Sequence, residues 1–62
     1  MGPWYVIVNE NMYDAGAWVV GDDEAFPLRG WERVWSAHAT REEAEAALPA
    51  ARDYADGRRL HH

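Results

Sequence analysis

The stretch TREEAEAALPAARDYAD, residues 40–56, has the spacing of a helix with one apolar face and one acidic face. At about 100° per residue, its small apolar side chains fall in one sector roughly 120° wide. These side chains are Ala44, Ala47, Leu48, Ala51, Tyr54 and Ala55. The opposite sector, about 80° wide on the same wheel, holds Glu42, Glu45, Asp53 and Asp56 and no Lys. A small apolar face of this kind predicts a helix packed closely on a sheet.

Both ends of this helix carry sequence signals, and its middle carries a proline. Thr40 followed by Glu43 matches a capping box, in which each side chain binds the other residue's backbone amide. Gly57 is expected to end the helix. An interior Pro49 loses a hydrogen bond and crowds the preceding turn, at a cost of roughly 3 kcal/mol. The helix therefore either kinks at Pro49, or ends near Leu48 and starts again with Pro49 as its first residue.

Three β-branched and aromatic stretches predict strands at residues 4–8, 17–20 and 31–37. The first, WYVIV, is apolar on both alternating faces and is expected at the centre of the sheet. The stretches between them are rich in Gly, Asp, Asn and Pro and predict loops, the longer one at residues 21–30. Alternation in the third strand places Arg33 between Trp31 and Trp35 on one face, which suggests a stacked guanidinium.

The expected fold class is therefore α+β, with a three-stranded antiparallel sheet and one C-terminal helical segment packed on it. Residues 1–57 are expected to form a single domain, and residues 58–62 a disordered tail. The chain of 62 residues has no Cys, so its core depends on apolar side chains that include four Trp, three Tyr and one Phe.

The charge balance constrains the partners. Eleven acidic residues face six Arg and no Lys, for a net charge of −5. Phosphate binding needs clustered Lys and Arg, so we expect no direct nucleic-acid binding and a basic partner instead. No apolar run approaches the ~20 residues of a membrane span, and the N-terminus lacks a basic signal-peptide region. A cytoplasmic monomer without membrane contact is the expectation.

Residues that could perform chemistry are few. Ser36 and His38 lie two apart on one strand, so a Ser–His pair is conceivable, although no pattern supplies an orienting group or an oxyanion site. The run Asp22-Asp23-Glu24 lacks the alternating ligands and fixed Gly of a calcium loop, and the five glycines are too scattered for a phosphate loop. We expect no catalytic residue, no metal site and no cofactor. A hydrolase built on Ser36 and His38 is therefore the weakest hypothesis for the function.

The acidic side of the helix is the leading candidate for function. From Glu42 to Asp53 it spans about 16 Å at 1.5 Å per residue, and one DNA strand carries a charge about every 3.4 Å. Such a row is a sparser copy of a nucleic-acid backbone, and it can be attracted to a basic groove and block it. The predicted partner-binding residues are Glu42, Glu43, Glu45, Asp53 and Asp56, joined by Asp22, Asp23 and Glu24. The simpler alternative is an acidic solvent face that only keeps the protein soluble.

Parts of the chain resemble small acidic phage and mobile-element proteins of the anti-CRISPR type. The similarity is in residues 4–8, in the step from Gly30 to Trp31, and in AHATREEAEAAL, residues 37–48. It implies a phage-encoded inhibitor that acts stoichiometrically in the host cytoplasm. Its partner would be a CRISPR effector complex, whose DNA-binding surface it would occupy by nucleic-acid mimicry.

A second resemblance is to the MbtH-like family of small acidic, Trp-rich proteins. The residues in similar order are Val8, Asn9, Trp18, Pro27, Gly30 and Trp31. That family's Ser-Leu-Trp-Pro stretch is absent here, because Trp18 follows Gly16-Ala17 and precedes Val19. The resemblance implies an accessory subunit of a larger enzyme, such as an adenylation domain of a nonribosomal peptide synthetase, docking through Trp18 and Trp31.

Overall fold

A computed structural model describes residues 2–59. The chain forms strands β1 (Trp4–Asn9) and β2 (Gly16–Gly21), then a one-turn helix, α1 (Asp22–Ala25). Strand β3 (Glu32–His38) and the long helix α2 (Arg41–Arg58) follow. Both neighbours of β1 run antiparallel to it, in the order β2-β1-β3. The predicted α+β class is confirmed, with a three-stranded antiparallel sheet and a C-terminal helix.

The core lies between the sheet and α2. Val6 on the central strand packs against Ala44 and Ala51, and Val8 packs against Ala55. Because alanine adds only a methyl group, the helix axis can approach the sheet closely and leave these side chains without solvent contact. The predicted apolar face is confirmed, and its other members, Ala47, Leu48 and Tyr54, are half-buried at its margins.

Helix α2 is continuous through Pro49. The alternative in which one helix ends near Leu48 and a second starts at Pro49 is therefore wrong. Pro49 is exposed, so its ring lies on the solvent side of the helix. At the N-terminus, Oγ1 of Thr40 accepts a 3.1 Å hydrogen bond from the amide of Glu43. This is one half of the predicted capping box. The return bond from the Glu43 side chain is not among the hydrogen bonds of residues 2–59.

The C-terminal end of α2 differs from the prediction. Gly57 does not adopt the left-handed backbone conformation that would end the helix, and Arg58 is still helical. The amide of Arg59 closes the last turn by donating to the carbonyls of Ala55 and Asp56. The Arg59 side chain also donates to the carbonyl of Ala15 over 2.6 Å. The expected tail is therefore wrong for these two arginines. Its remainder, residues 60–62, lies outside the described part of the chain.

The second face of the sheet is covered by α1 and the segment after it. Residues 22–25 were expected in a loop, but they form a helical turn with buried Ala25. Three acidic residues in that turn suit the partial positive charge of a helix start. The turn is fixed to β1, since the hydroxyl of Tyr5 donates to Oδ1 of Asp22 over 3.2 Å. The Phe26 ring meets Tyr5 edge-on, with ring centroids 5.4 Å apart.

A bulge in β3 changes which side chains share a face. Val6 pairs with Ser36 but Ile7 pairs with Val34, so Trp35 is an extra residue in the strand. Trp35 lies against Tyr54 of α2, with ring centroids 5.1 Å apart. Both Trp35 and Ser36 therefore lie on the α2 side. Trp35 shares this face with Arg33, as the alternation predicts, and the prediction is wrong from Ser36 onward.

The predicted stacking of Arg33 between two indoles is also wrong. Nη2 of Arg33 instead lies 2.6 Å from Oε2 of Glu10. A stacked guanidinium is found elsewhere, where Arg41 lies 5.6 Å from the ring centroid of Trp4. An ion pair with a carboxylate that is only 16% exposed outweighs stacking for Arg33, because Coulomb attraction strengthens as water is excluded.

Candidate partner-binding surface

The acidic side chains of α2 all lie on its solvent side. Glu42, Glu43, Glu45, Asp53 and Asp56 are exposed. This follows from the burial of Ala44, Ala51 and Ala55, which fixes the helix by its opposite face. The structure thus brings the five helical members of the predicted surface onto one rigid element, over about four turns.

The carboxylates of this row are not equally available. Nε of Arg41 donates to Oε2 of Glu45 over 2.8 Å, one turn away, which offsets the charge of Glu45. Both side chains are more than half exposed, so the pair itself contributes little stability. Within the described residues, Glu42, Glu43 and Asp53 have no ion-pair partner. The negative potential of the row therefore depends most on those three side chains.

The three acidic residues of α1 are also exposed, but they belong to a different part of the surface. Helix α1 packs on β1 and β2 and makes no packing contact with α2. Asp22 and Asp23 line a groove that also reaches Ala39, just before α2 begins. Glu24 does not line this groove but lies at the rim of a separate cavity, on the face of the sheet opposite α2. The structure therefore divides the eight predicted residues into a group of five on α2 and a group of three on α1.

Ser36 and His38 do meet. Oγ of Ser36 and Nε2 of His38 are 2.8 Å apart, and both residues are half-buried. The bulge at Trp35 places Ser36 level with Val6, and His38 lies level with Trp4, which brings the two onto one face. Acyl transfer would further need a group orienting the imidazole and donors for an oxyanion. In the part of the chain that the structure describes, no carboxylate is bonded to the His38 ring.

Two concave regions were not identified from the sequence. A cavity of about 300 Å³ lies beneath α1 and the following segment, lined by Ile7, Trp18, Val20 and Phe26 among others. A groove of about 490 Å³ lies at the other end of the molecule, where Met12, Tyr13 and Trp31 meet the last turn of α2. The apolar pair Met12-Tyr13 inside a polar turn was the sequence signal for the groove.

Fold and charge together define a small α+β protein with an exposed acidic helix. Across residues 2–59, no three His, Asp or Glu side chains are grouped as metal ligands would be. Among the described residues, neither α1 nor α2 is both long and apolar enough to cross a bilayer. No family model matches the chain, and neither a curated protein nor a solved structure is significantly similar to it.

Proposed function

We propose that this protein is a non-enzymatic inhibitor that binds another protein and covers its basic, nucleic-acid-binding surface with the acidic side of α2. The observation that carries the proposal is the exposed pair Glu42 and Asp53, each without an ion-pair partner among the described residues, at opposite ends of one rigid helix face. About 16 Å separates them along the helix axis. One DNA strand carries a charge about every 3.4 Å, so the helix presents a sparser copy of a nucleic-acid backbone to a groove lined with Lys and Arg.

Rigidity supports this role as much as charge does. Burial of Ala44 and Ala51 against Val6 holds α2 on the sheet, so the backbone that carries the carboxylates is ordered before a partner arrives. Binding then requires less loss of conformational entropy than it would for a flexible acidic segment. Complementary charge also raises the association rate and makes it sensitive to salt.

The resemblance to anti-CRISPR proteins makes a CRISPR effector complex the first partner to test, in the cytoplasm of the host. The protein, carrying an affinity tag, is used to capture complexes from host lysate across a salt series, with and without duplex DNA as competitor. We expect a nucleic-acid-binding complex that is released by moderate salt and displaced by DNA. Capture that neither salt nor DNA weakens would contradict the proposal.

The exposed indole of Trp31 favours a second function, that of an accessory subunit docking on a larger enzyme through surface Trp residues. Trp18, the other residue of that hypothesis, is half-buried and lines the cavity beneath α1 rather than the groove that Trp31 lines. Under this alternative, Trp18→Ala and Trp31→Ala weaken capture of the enzyme while charge reversal on α2 does not. The opposite pattern supports the inhibitor.

A further inference from the structure

Met12, Tyr13, Trp31 and Arg58 form a groove that neither the core nor the acidic helix face explains; we name it the aromatic groove. Tyr13 is 78% exposed, Trp31 61% and Met12 49%, so about half or more of each residue is in contact with water. The groove has a volume of about 490 Å³, and Gly57 and Arg58 of α2 form one wall. Large apolar side chains grouped in this way on a protein of this size mark an interaction surface.

The backbone that carries these side chains is held in place without their help. Oδ1 of Asn9 accepts from the amide of Asn11, and Oδ1 of Asn11 accepts from the amide of Tyr13, each over 3.0 Å. The amide of Glu10 donates to the carbonyl of Trp31 over 3.1 Å, which ties the turn to the start of β3. The rings are therefore presented outward by an ordered turn, so a partner need not order the backbone of the turn on binding.

Charge indicates what the groove accepts. Its one carboxylate belongs to Glu10, and Oε2 of Glu10 already receives Nη2 of Arg33 at 2.6 Å and the hydroxyl of Tyr54 at 2.8 Å. That negative charge is offset within the molecule. Arg58 is exposed and has no ion-pair partner among residues 2–59, so it is the cation that the groove offers to a partner.

We infer that the aromatic groove binds an acidic segment of a partner protein that carries an apolar anchor. The anchor packs on Trp31 and Met12, and a neighbouring carboxylate pairs with Arg58. Trp, Tyr, Met and Arg are the residue types most enriched at protein interfaces and their energetic centres. The inference does not rest on the proposed function, because the groove uses neither Glu42 nor Asp53. It makes the protein a two-sided binder, with an acidic face for a basic partner and this groove for an acidic one.

The test is a selection of random 12-residue peptides displayed on phage against the intact protein, with removal of peptides that bind the bare support. We expect the enriched peptides to combine Asp or Glu with Leu, Phe or Trp. Binding of the best synthetic peptide is then measured by fluorescence anisotropy. Trp31→Ala should weaken it by about tenfold or more, and Arg58→Ala by about threefold or more.

Matched controls separate the groove from general effects. Arg52→Ala removes an exposed Arg from the same helix, and Phe26→Ala removes a half-exposed ring from the opposite face; neither should change peptide affinity by more than about twofold. The Glu42→Lys, Asp53→Lys variant should also bind the peptide normally. This last result would stand even if the inhibitor proposal failed.

Several outcomes would overturn the inference. Enrichment of basic peptides, absence of any enrichment, or equal binding by the Trp31→Ala variant each contradict it. Two other occupants are checked with the same variants. Self-association that Trp31→Ala abolishes would assign the groove to a second copy of the chain. Binding of a single-stranded oligonucleotide that depends on Trp31 would assign it to nucleic acid. Circular dichroism confirms that each variant is folded.

Discussion

The hydroxyl of Tyr54 donates a 2.8 Å hydrogen bond to Oε2 of Glu10, a residue 44 positions earlier in the chain. The same oxygen lies 2.6 Å from Nη2 of Arg33. Because Tyr54 is on α2, Arg33 on β3 and Glu10 just after β1, one carboxylate joins three elements. The Tyr54 ring also packs on Trp35, the extra residue of the β3 bulge.

Replacing Tyr54 by Phe should lower the free energy of unfolding by about 1.5 kcal/mol, because a hydrogen bond to a charged acceptor is lost while the ring stays. Tyr54→Ala should cost about 3 kcal/mol, since the contact with Trp35 is lost as well. Urea denaturation measures both. Tyr13→Phe, on an exposed ring, is the control and should have no effect. A Tyr54→Phe variant as stable as the wild type would show that this bond contributes nothing.

The alanine face of α2 should tolerate no enlargement. Ala51 has no solvent contact and packs against Val6, so Ala51→Leu must either displace the helix or force strained rotamers. We expect a loss of about 1–3 kcal/mol or more in the free energy of unfolding. Ala50→Leu, one position away on the exposed side, is the matched control and should be nearly neutral. Equal effects at the two positions would mean that the helix does not pack as described.

Pro49 interrupts the hydrogen bonding of a helix that is otherwise continuous. It is exposed, so Pro49→Ala removes no core packing and allows a backbone bond to the carbonyl of Glu45. The variant should be more stable by about 1–2 kcal/mol, since part of the gain is offset by the freer unfolded chain. Thermal denaturation followed by circular dichroism measures it. Destabilisation instead would show that Pro49 itself is needed to fit α2 on the sheet.

Tyr5 should make stability fall at alkaline pH. Partial burial, and next the hydrogen bond and negative charge of Asp22, raise the pKa of the Tyr5 phenol above its ordinary value of 10.0. The folded state therefore binds this proton more tightly than the unfolded chain does. The resulting stabilisation is complete below about pH 10 and is lost as pH rises through the folded-state pKa.

Denaturation between about pH 8 and pH 11.5 tests this behaviour. Tyr5→Phe should remove the part of the alkaline loss that Tyr5 causes, and Asp22→Asn should shift it to lower pH because the raising influence of the carboxylate is gone. Identical pH profiles for the wild type and Tyr5→Phe would contradict the assignment.

How much of the fold could be predicted depended on how local each signal was. The apolar face of α2 follows from 3.6-residue spacing alone, and Ala44, Ala51 and Ala55 are buried as predicted. The bulge at Trp35 was not predictable, because an extra residue in β3 shows only once β3 is paired with β1. Helix α1 is four residues long, too short to leave a periodic pattern.

The candidate surface was predictable in the same uneven way. Residues spaced 3 or 11 positions apart lie on the same side of a helix. The spacing of Glu42, Glu45 and Asp53 therefore places them together, and all three are exposed. Whether Glu24 joins them depends on which face of the sheet the segment after β2 covers, and no local pattern encodes that. The aromatic groove is formed by a turn, a strand start and a helix end, and only the folded chain brings these together.

The central claim is that the acidic side of α2, rather than the overall net charge, binds the partner. Two variants with the same change in charge test it most directly, Glu42→Lys with Asp53→Lys on α2 and Asp14→Lys with Glu24→Lys elsewhere. Displacement of labelled DNA from the captured complex is measured for each, at one salt concentration. We predict that the α2 variant loses displacement by about a hundredfold while the control stays within about threefold of wild type. Equal loss in both variants, or none in the α2 variant, would contradict the account.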